Sequence, residues 1–219
     1  MLFDFEALPT RERYKLVVST VLPRPIAWMV TRDLAGTTNA APYSFFNVFS
    51  DDPVVVGIGV GPRPEGGSPK DTLANIRDTG EFTLCLVSEA TLPAMNVTAA
   101  DFPPGVDELA EAGLTPAPGA KVGPPRIAES PVALECKVHQ LVPIGHHTLV
   151  LGRVVAMHVR DDCVLDPAKN YVDSPRLGLV GRMHGRGWYA RTTDRVEVER
   201  VSAADLARAR AAGAARAAD

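Results

Sequence analysis

Short apolar runs rich in β-branched residues, separated by turn residues, dominate the chain. Residues 26–30 (IAWMV), 54–58 (VVVGI, opened by Asp52-Pro53) and 82–87 (FTLCLV) are too short for core helices and are bounded by breakers, so each is predicted as a buried strand. From Val132 to Val138 apolar residues fall at every second position, with Ala133, Glu135 and Lys137 between them. That period of two predicts a strand with one face in a core and the other nearer solvent. Residues 143–147 (PIGHH) break the run, and 148–159 return as a long strand, which makes a hairpin. Gly152 inside the second arm predicts a bulge or bend. Gly57, Gly59 and Gly61 are read as strand glycines, because no helix follows them as a dinucleotide fingerprint requires. Many strands with few long helical periodicities predict a β-barrel or sandwich.

Two short helices are predicted. Ser68-Pro69-Lys70-Asp71 offers serine as N-cap, proline at the first helical position and an acid in the first turn. Leu73 and Ile76 then share one face, and Gly80 stops the helix. A second helix is predicted over about 88–97, with Pro93 arguing against it. Residues 1–201 are expected to form the folded domain. The Ala/Arg-rich tail, 202–219, has Leu206 as its one large apolar residue and is expected to be a helix that frays.

Charge and composition narrow the function classes. With 23 basic and 26 acidic residues, a net charge of -3 and 46 % apolar residues, the chain reads as a soluble globular protein without the basic footprint of a nucleic-acid binder. No apolar run approaches the roughly 20 residues that span a bilayer. The acidic N-terminus lacks the basic and apolar regions of a secretory signal. Cys85, Cys136 and Cys163 are scattered and form no CxxC pair, so no disulfide framework or zinc ribbon is expected, and a reducing cytoplasm is the expected location. The histidines give no metal site: His146 and His147 are adjacent and would point to opposite faces of a strand, and His139 and His158 lack partners at ligand spacing.

Three segments carry candidate chemistry. At the helix start, Gly66-Gly67 allows close backbone approach, free N–H groups and the helix dipole favour an anion, and Ser68, Lys70 and Thr72 add donors. A plain capped helix explains the same residues. The stretch Thr37-Thr38-Asn39-Ala40-Ala41-Pro42-Tyr43-Ser44-Phe45-Phe46-Asn47 is read as a strand whose small side chains leave backbone groups open to a flat polar ring; ordinary strand ends are the alternative. In Pro23-Arg24-Pro25-Ile26-Ala27 two prolines pin the backbone around an arginine, which a stiff strand start with a surface Arg also explains.

These segments, in this order, resemble the flavin reductase-like family, and the stretches 100–108 (ADFPPGVDE), 125–136 (PRIAESPVALEC) and 147–152 (HTLVLG) match as well. The resemblance covers about residues 10 to 200, and the Pro-Pro-Gly-Val-Asp-Glu insertion is similar to the flavoredoxin-type branch. It implies an FMN-binding split β-barrel, a Greek-key antiparallel barrel with a few short peripheral helices. It implies a homodimer with one non-covalent FMN per subunit near the interface. Arg24, Pro25, Ile26 and Ala27 would line the isoalloxazine together with the strand that includes Asn39, Ala40, Ala41, Pro42, Ser44, Phe46 and Asn47. The phosphate would lie around Ser44 and the Ser68, Lys70, Asp71, Thr72 helix start, with Asn75 one turn further on. His147 would stand beside the nicotinamide or substrate, as proton donor or steric guide. The implied activity is NAD(P)H-dependent reduction of a flavin, a ferric complex or another small acceptor, or delivery of electrons to a partner oxygenase. An FMN electron carrier without its own nicotinamide site is the alternative, and a β-domain with an empty pocket a further one. Residues 182–189 correspond to a Gly-rich, aromatic-containing stretch in relatives whose exact residues vary, so no FMN contact is carried over to them.

Overall fold

The computed structural model describes residues 1–63, 69–103, 105–185 and 187–208. Its centre is a seven-stranded sheet: β1 (Ala27–Arg32), β2 (Thr38–Tyr43), β3 (Phe46–Asp51), β4 (Val54–Val60), β5 (Glu81–Leu86), β6 (Val132–Ile144) and β7 (His147–Val159). Their order across the sheet is β2-β1-β5-β6-β7-β4-β3, and every neighbouring pair is antiparallel. The two edge strands, β2 and β3, are joined by Ser44-Phe45 alone, and the Gly59 N–H donates to Phe45 O at 2.7 Å. A link that short forces the two edges together, so the sheet curls into a barrel. The expected single strand through 37–47 is thereby corrected: it is two strands, broken at the barrel seam.

Both faces of the sheet are covered. Met29, Val56, Ile58, Phe82, Leu84, Leu134, Cys136 and Val150 fill the inside. Trp28, Val30, Cys85 and Ala133 point the other way and pack with Met95, Leu109, Leu114 and Ile127 from the outer segments. The outer layer contains α3 (Leu92–Val97) and α4 (Glu108–Glu111). This double coverage explains why β1 is an almost continuous apolar run and not an alternating one. It also corrects the reading of 132–138, for only Lys137 of the three alternate residues is exposed. Ala133 lies in the outer core, and Glu135 is fully buried because the segment before β6 folds over it. Its carboxylate accepts from the backbone N–H groups of Ala120 (2.7 Å), Lys121 (2.5 Å) and Val122 (3.1 Å) and meets His158 Nε2 at 2.5 Å. Burial pushes the Glu135 pKa up, but these partners outweigh it and hold the group below the usual carboxylate range.

Gly57, Gly59 and Gly152 lie in strands, whereas Gly61, expected in a strand, falls just past the end of β4; all four serve packing. A side chain at Gly57 would meet Phe49, one at Gly59 would meet Phe45, and one at Gly61 would meet His147. A Cβ at Gly152 would stand 2.2 Å from Cζ of the buried Phe82. The predicted irregularity is present there, since the β6–β7 register shifts between Val138 and Gln140, opposite Gly152 and Leu151. The hairpin turn holds only Gly145 and His146, with Gly145 at φ 55. His146 therefore sits in the turn and not on the strand, and its ring lies 4.5 Å from that of His147, which corrects the expectation of opposite faces.

The helices depart from expectation at their starts. α2 (Asp71–Thr79) begins three residues after Ser68, with Lys70 as its N-cap and no side-chain cap. Ser68 lies outside the described residues. Arg63 fixes this start by donating to Pro69 O (3.2 Å) and pairing with Asp71 Oδ1 (2.5 Å), which leaves Pro69 before the helix. Gly80 ends α2 in the left-handed conformation, as predicted, and Leu73 and Ile76 are buried. α3 begins only at Leu92, after a reciprocal Ser88–Thr91 turn, and Pro93 is harmless in the first helical turn. An unpredicted α1 (Thr10–Thr20) buries only Val18. Residues 203–208 of the tail are helical. Among the described residues no helix is long and apolar enough to cross a membrane.

Candidate functional site

Three adjoining clefts run along the Asn39–Asn47 segment. The first, of about 100 Å³, is lined by Asn39, Ala41, Pro42, Tyr43, Lys70, Asp71 and Thr72, and by Arg63, the 98–102 turn and Glu108. The second, of about 190 Å³, shares Pro42, Tyr43 and Ala99 with the first and adds Ile26, Ser44, Arg182 and Tyr189. The third, of about 290 Å³, shares Ser44 and continues past Arg24, Pro25, Phe45, Phe46 and Asn47. Together they form one trough along the barrel seam. Ala41 and Pro42 present little side chain to it, as the sequence suggested.

The polar wall of the first cleft is a buried chain of hydrogen bonds. Tyr43 donates its hydroxyl proton to Thr72 Oγ1 at 3.0 Å. With the Asn39 amide oriented to satisfy both of its ends, Thr72 donates to Asn39 Oδ1 (3.0 Å) and Asn39 Nδ2 donates to Glu108 Oε1 (3.3 Å). The Ala40 N–H donates to Glu108 Oε2 at 2.9 Å. Burial raises the Glu108 pKa despite these bonds, and burial pushes the Tyr43 phenol up to about 12.

The expected site residues divide accordingly. Asn39, Ala41, Pro42, Lys70, Asp71 and Thr72 come together in the first cleft; Ile26 and Ser44, then Pro25, Phe46 and Asn47, line the rest of the trough. Ala27 is sealed in the barrel core, and the Ala40 N–H, expected to meet a ligand ring, is taken by Glu108. Asn75 lies beneath the trough and donates to Thr31 Oγ1 at 3.1 Å. Thr72 lines the first cleft, and its hydroxyl there meets both Asn39 and Tyr43. Arg24 is not a surface residue. It donates from Nη1 to Val18 O (2.8 Å) and Val21 O (3.0 Å) and from Nη2 to Met183 O (3.0 Å). It thus satisfies carbonyls at the end of α1 and ties that helix to the C-terminal segment. Its Nε donates to Ser44 Oγ at 3.3 Å, which leaves the Ser44 proton free to point elsewhere.

His147 does not line the trough. Its ring stacks on Phe45, which does, with centroids 6.2 Å apart. Burial, then the neighbouring His146, lowers its pKa below the usual 6.5. Tyr43, Arg63 and Glu108 belong to the site but were not singled out from sequence. Arg63 carries one weak signal, a cation in a Pro/Gly-rich loop ahead of a helix; Glu108 follows Asp107, the N-cap of α4, and nothing in the sequence separates it from an ordinary first-turn acid. Lys70 Nζ lies 5.8 Å from the centre of the Tyr43 ring.

A closed antiparallel barrel split at a small-residue seam defines the split-barrel flavoprotein class. The description "Flavin reductase like domain" matches residues 18–175, and the chain belongs to that family. An uncharacterized protein of Deinococcus radiodurans is 47 % identical over 204 residues, covering 91 % of this chain and 89 % of the relative. Among solved structures, the 2-nitrobenzoate 2-nitroreductase NbaA of Pseudomonas fluorescens is 31 % identical, with a TM-score of 0.84 over 93 % of this chain and 98 % of that one. Flavoredoxin of Desulfovibrio vulgaris (Miyazaki F), 20 % identical, shares the fold with a TM-score of 0.74 over 93 % of this chain and 100 % of its own.

Proposed function

We propose that the chain is an FMN-dependent oxidoreductase that uses NADH or NADPH to reduce a flavin, a ferric complex or another small acceptor, including one that serves a partner oxygenase. The observation that carries this reading is the open trough along Ala41-Pro42-Tyr43-Ser44 with a lysine beside it. Bound FMN supplies the hydride and electron chemistry; the chain binds and orients it.

The donor set supports a phosphate between Lys70 and Ser44 rather than deep in the first cleft. There the Arg63–Asp71 pair cancels, and Lys70 alone faces Asp101 and Glu108. Lys70 Nζ lies over the Tyr43 ring on one side, and Ser44, next in the chain, carries a hydroxyl with a free proton. Replacing Lys70 with alanine is expected to weaken FMN binding about tenfold, the worth of one charge-assisted hydrogen bond, without loss of fold. Fluorescence titration of FMN checks this, and unchanged affinity removes Lys70 from the phosphate site.

The same reading places His147 beside the incoming nicotinamide. Its lowered pKa leaves it neutral at pH 7, which favours a guiding role over proton donation. Anaerobic mixing with NADH and NADPH in a stopped-flow instrument tests the proposal. The flavin absorption band is expected to bleach directly, and about tenfold more slowly in His147→Ala with FMN still bound. A yellow protein that neither nucleotide bleaches favours the second reading, a flavoredoxin-like FMN carrier. The packing role of Gly57, Gly59 and Gly61, which leaves no dinucleotide fingerprint, is compatible with both readings. A protein that takes up no FMN ends both readings.

The proposal includes a cytoplasmic homodimer. Its support is the apolar surface formed by Phe45 of the seam link and Val48 and Phe49 of β3, all exposed beside the open end of the trough. A monomer mass in sedimentation removes that part.

A further inference from the structure

Arg24 does more than hold the start of a strand. Its guanidinium donates to four acceptors: Val18 O (2.8 Å) and Val21 O (3.0 Å), Met183 O (3.0 Å), and Ser44 Oγ (3.3 Å). These acceptors belong to three segments far apart in the sequence, and each segment walls the trough. Val21, just past α1, lines the third cleft; Arg182, beside Met183, lines the second; Ser44 lines both. The residue is 6 % exposed, and its backbone is fixed as well. The Arg24 N–H donates to Arg182 O at 2.9 Å, and the Arg182 N–H donates to Arg24 O at 2.7 Å. Gly181 permits this approach, because a Cβ there would stand 2.7 Å from Pro23 Cβ. A lysine has three donors at one point and cannot reproduce a planar fork that reaches four acceptors.

The bond to Ser44 has a consequence for what the trough can hold. A guanidinium has donors and no acceptor. Ser44 Oγ therefore accepts from Arg24 Nε, and its single proton is directed away from the arginine. No acceptor among the described residues takes that proton. A hydroxyl held in this sense offers a donor to the trough, and the group it suits is an acceptor such as a phosphate oxygen. We infer that Arg24 is a positioning residue for the flavin phosphate: it fixes Ser44 Oγ from one side, so that the hydroxyl proton is presented to a phosphate oxygen on the other. This inference rests on the FMN reading above. A clamp that only held the walls together would serve any occupant of the trough equally; the fixed sense of the Ser44 hydroxyl favours the phosphorylated one.

Fluorescence titration of FMN, and of riboflavin, which lacks the phosphate, into the full chain freed of flavin tests the inference. Wild type, Ser44→Ala, Arg24→Lys and the double variant are compared. The preference for FMN over riboflavin is expected to fall about tenfold in Ser44→Ala, the worth of one hydrogen bond to a charged group. Arg24→Lys, which keeps the charge and loses the Nε donor, is expected to lose about as much of that preference, and the double variant no more than either. A preference that survives in Ser44→Ala overturns the inference, and that arm stands whether or not Arg24→Lys folds. Equal losses of FMN and riboflavin in Arg24→Lys overturn it as well, for they make Arg24 a clamp of the walls alone. So does a double variant whose loss of preference is the product of the two single losses. A wild-type chain that takes up neither flavin fails the FMN reading itself, and the inference falls with it.

Discussion

Replacing Glu135 with alanine is expected to cost about 3–5 kcal/mol, the range found when one partner of a buried charged network is removed. The carboxylate is fully buried and is the shared acceptor for three consecutive backbone N–H groups and for His158. Its loss strands all of them at once and frees the 120–122 segment from the sheet. Against a typical total of about 5–15 kcal/mol, that leaves a marginal or unfolded chain. Glu135→Gln keeps one acceptor oxygen and is expected to cost less, about 1–3 kcal/mol. Urea denaturation measures both. The pH dependence has a definite sign. The folded pKa of Glu135 lies below its unfolded value of 4.5, so its contribution is present above pH 4.5 and is lost as pH falls through the folded value. The stability gap between wild type and Glu135→Gln is therefore expected to narrow on acidification below pH 4.5, and a gap that widens there refutes the account.

Gly152→Ala is the second large effect expected. The added Cβ would lie 2.2 Å from Phe82 Cζ, 2.8 Å from Cε1 and 3.3 Å from Cys136 Cβ, in the barrel interior. Phe82 is fully buried and has no free direction in which to swing. Overpacking of this kind costs about 1–3 kcal/mol, and a contact so short belongs at the upper end or beyond. Phe82→Leu removes the atom that clashes. The double variant is expected to lose less stability than the two single variants added together, with a coupling of about 0.5–3 kcal/mol. Simple additivity would mean that the strain is relieved elsewhere.

These two residues mark what the sequence did and did not reveal. Gly152 stood out because a glycine inside a long β-branched strand requires a local reason. Glu135 was misread because alternation reports which residues share a face, not whether that face is covered. The cover comes from the irregular segment before β6, whose backbone carries no periodic signal. The break at Ser44-Phe45 was hidden for a related reason, since a two-residue link with one serine and no glycine gives only a faint turn signal. Arg24 was legible as a pinned arginine, but its acceptors are main-chain carbonyls from α1 and Met183, and carbonyls leave no mark in a sequence. The trough itself was readable in outline: Asn39, Ala41, Pro42, Ser44 and Lys70 line it as expected. The acidic lid that Glu108 lays over the Ala40 backbone was not, because it depends on a contact between distant segments.

The seam has a kinetic counterpart. β1 with β2, β3 with β4, and β6 with β7 are neighbours in sequence and zip locally. The ring is completed only when Trp28 finds Cys85, Phe82 finds Cys136 and Val55 finds Arg153, encounters between residues far apart along the chain. Loop-closure entropy must be met before those contacts repay it, which slows assembly. The protein therefore forms as three quick ribbons that wait on one slow embrace, and until it happens the exposed edges of β4 and β7 are the surfaces most open to pairing with another chain.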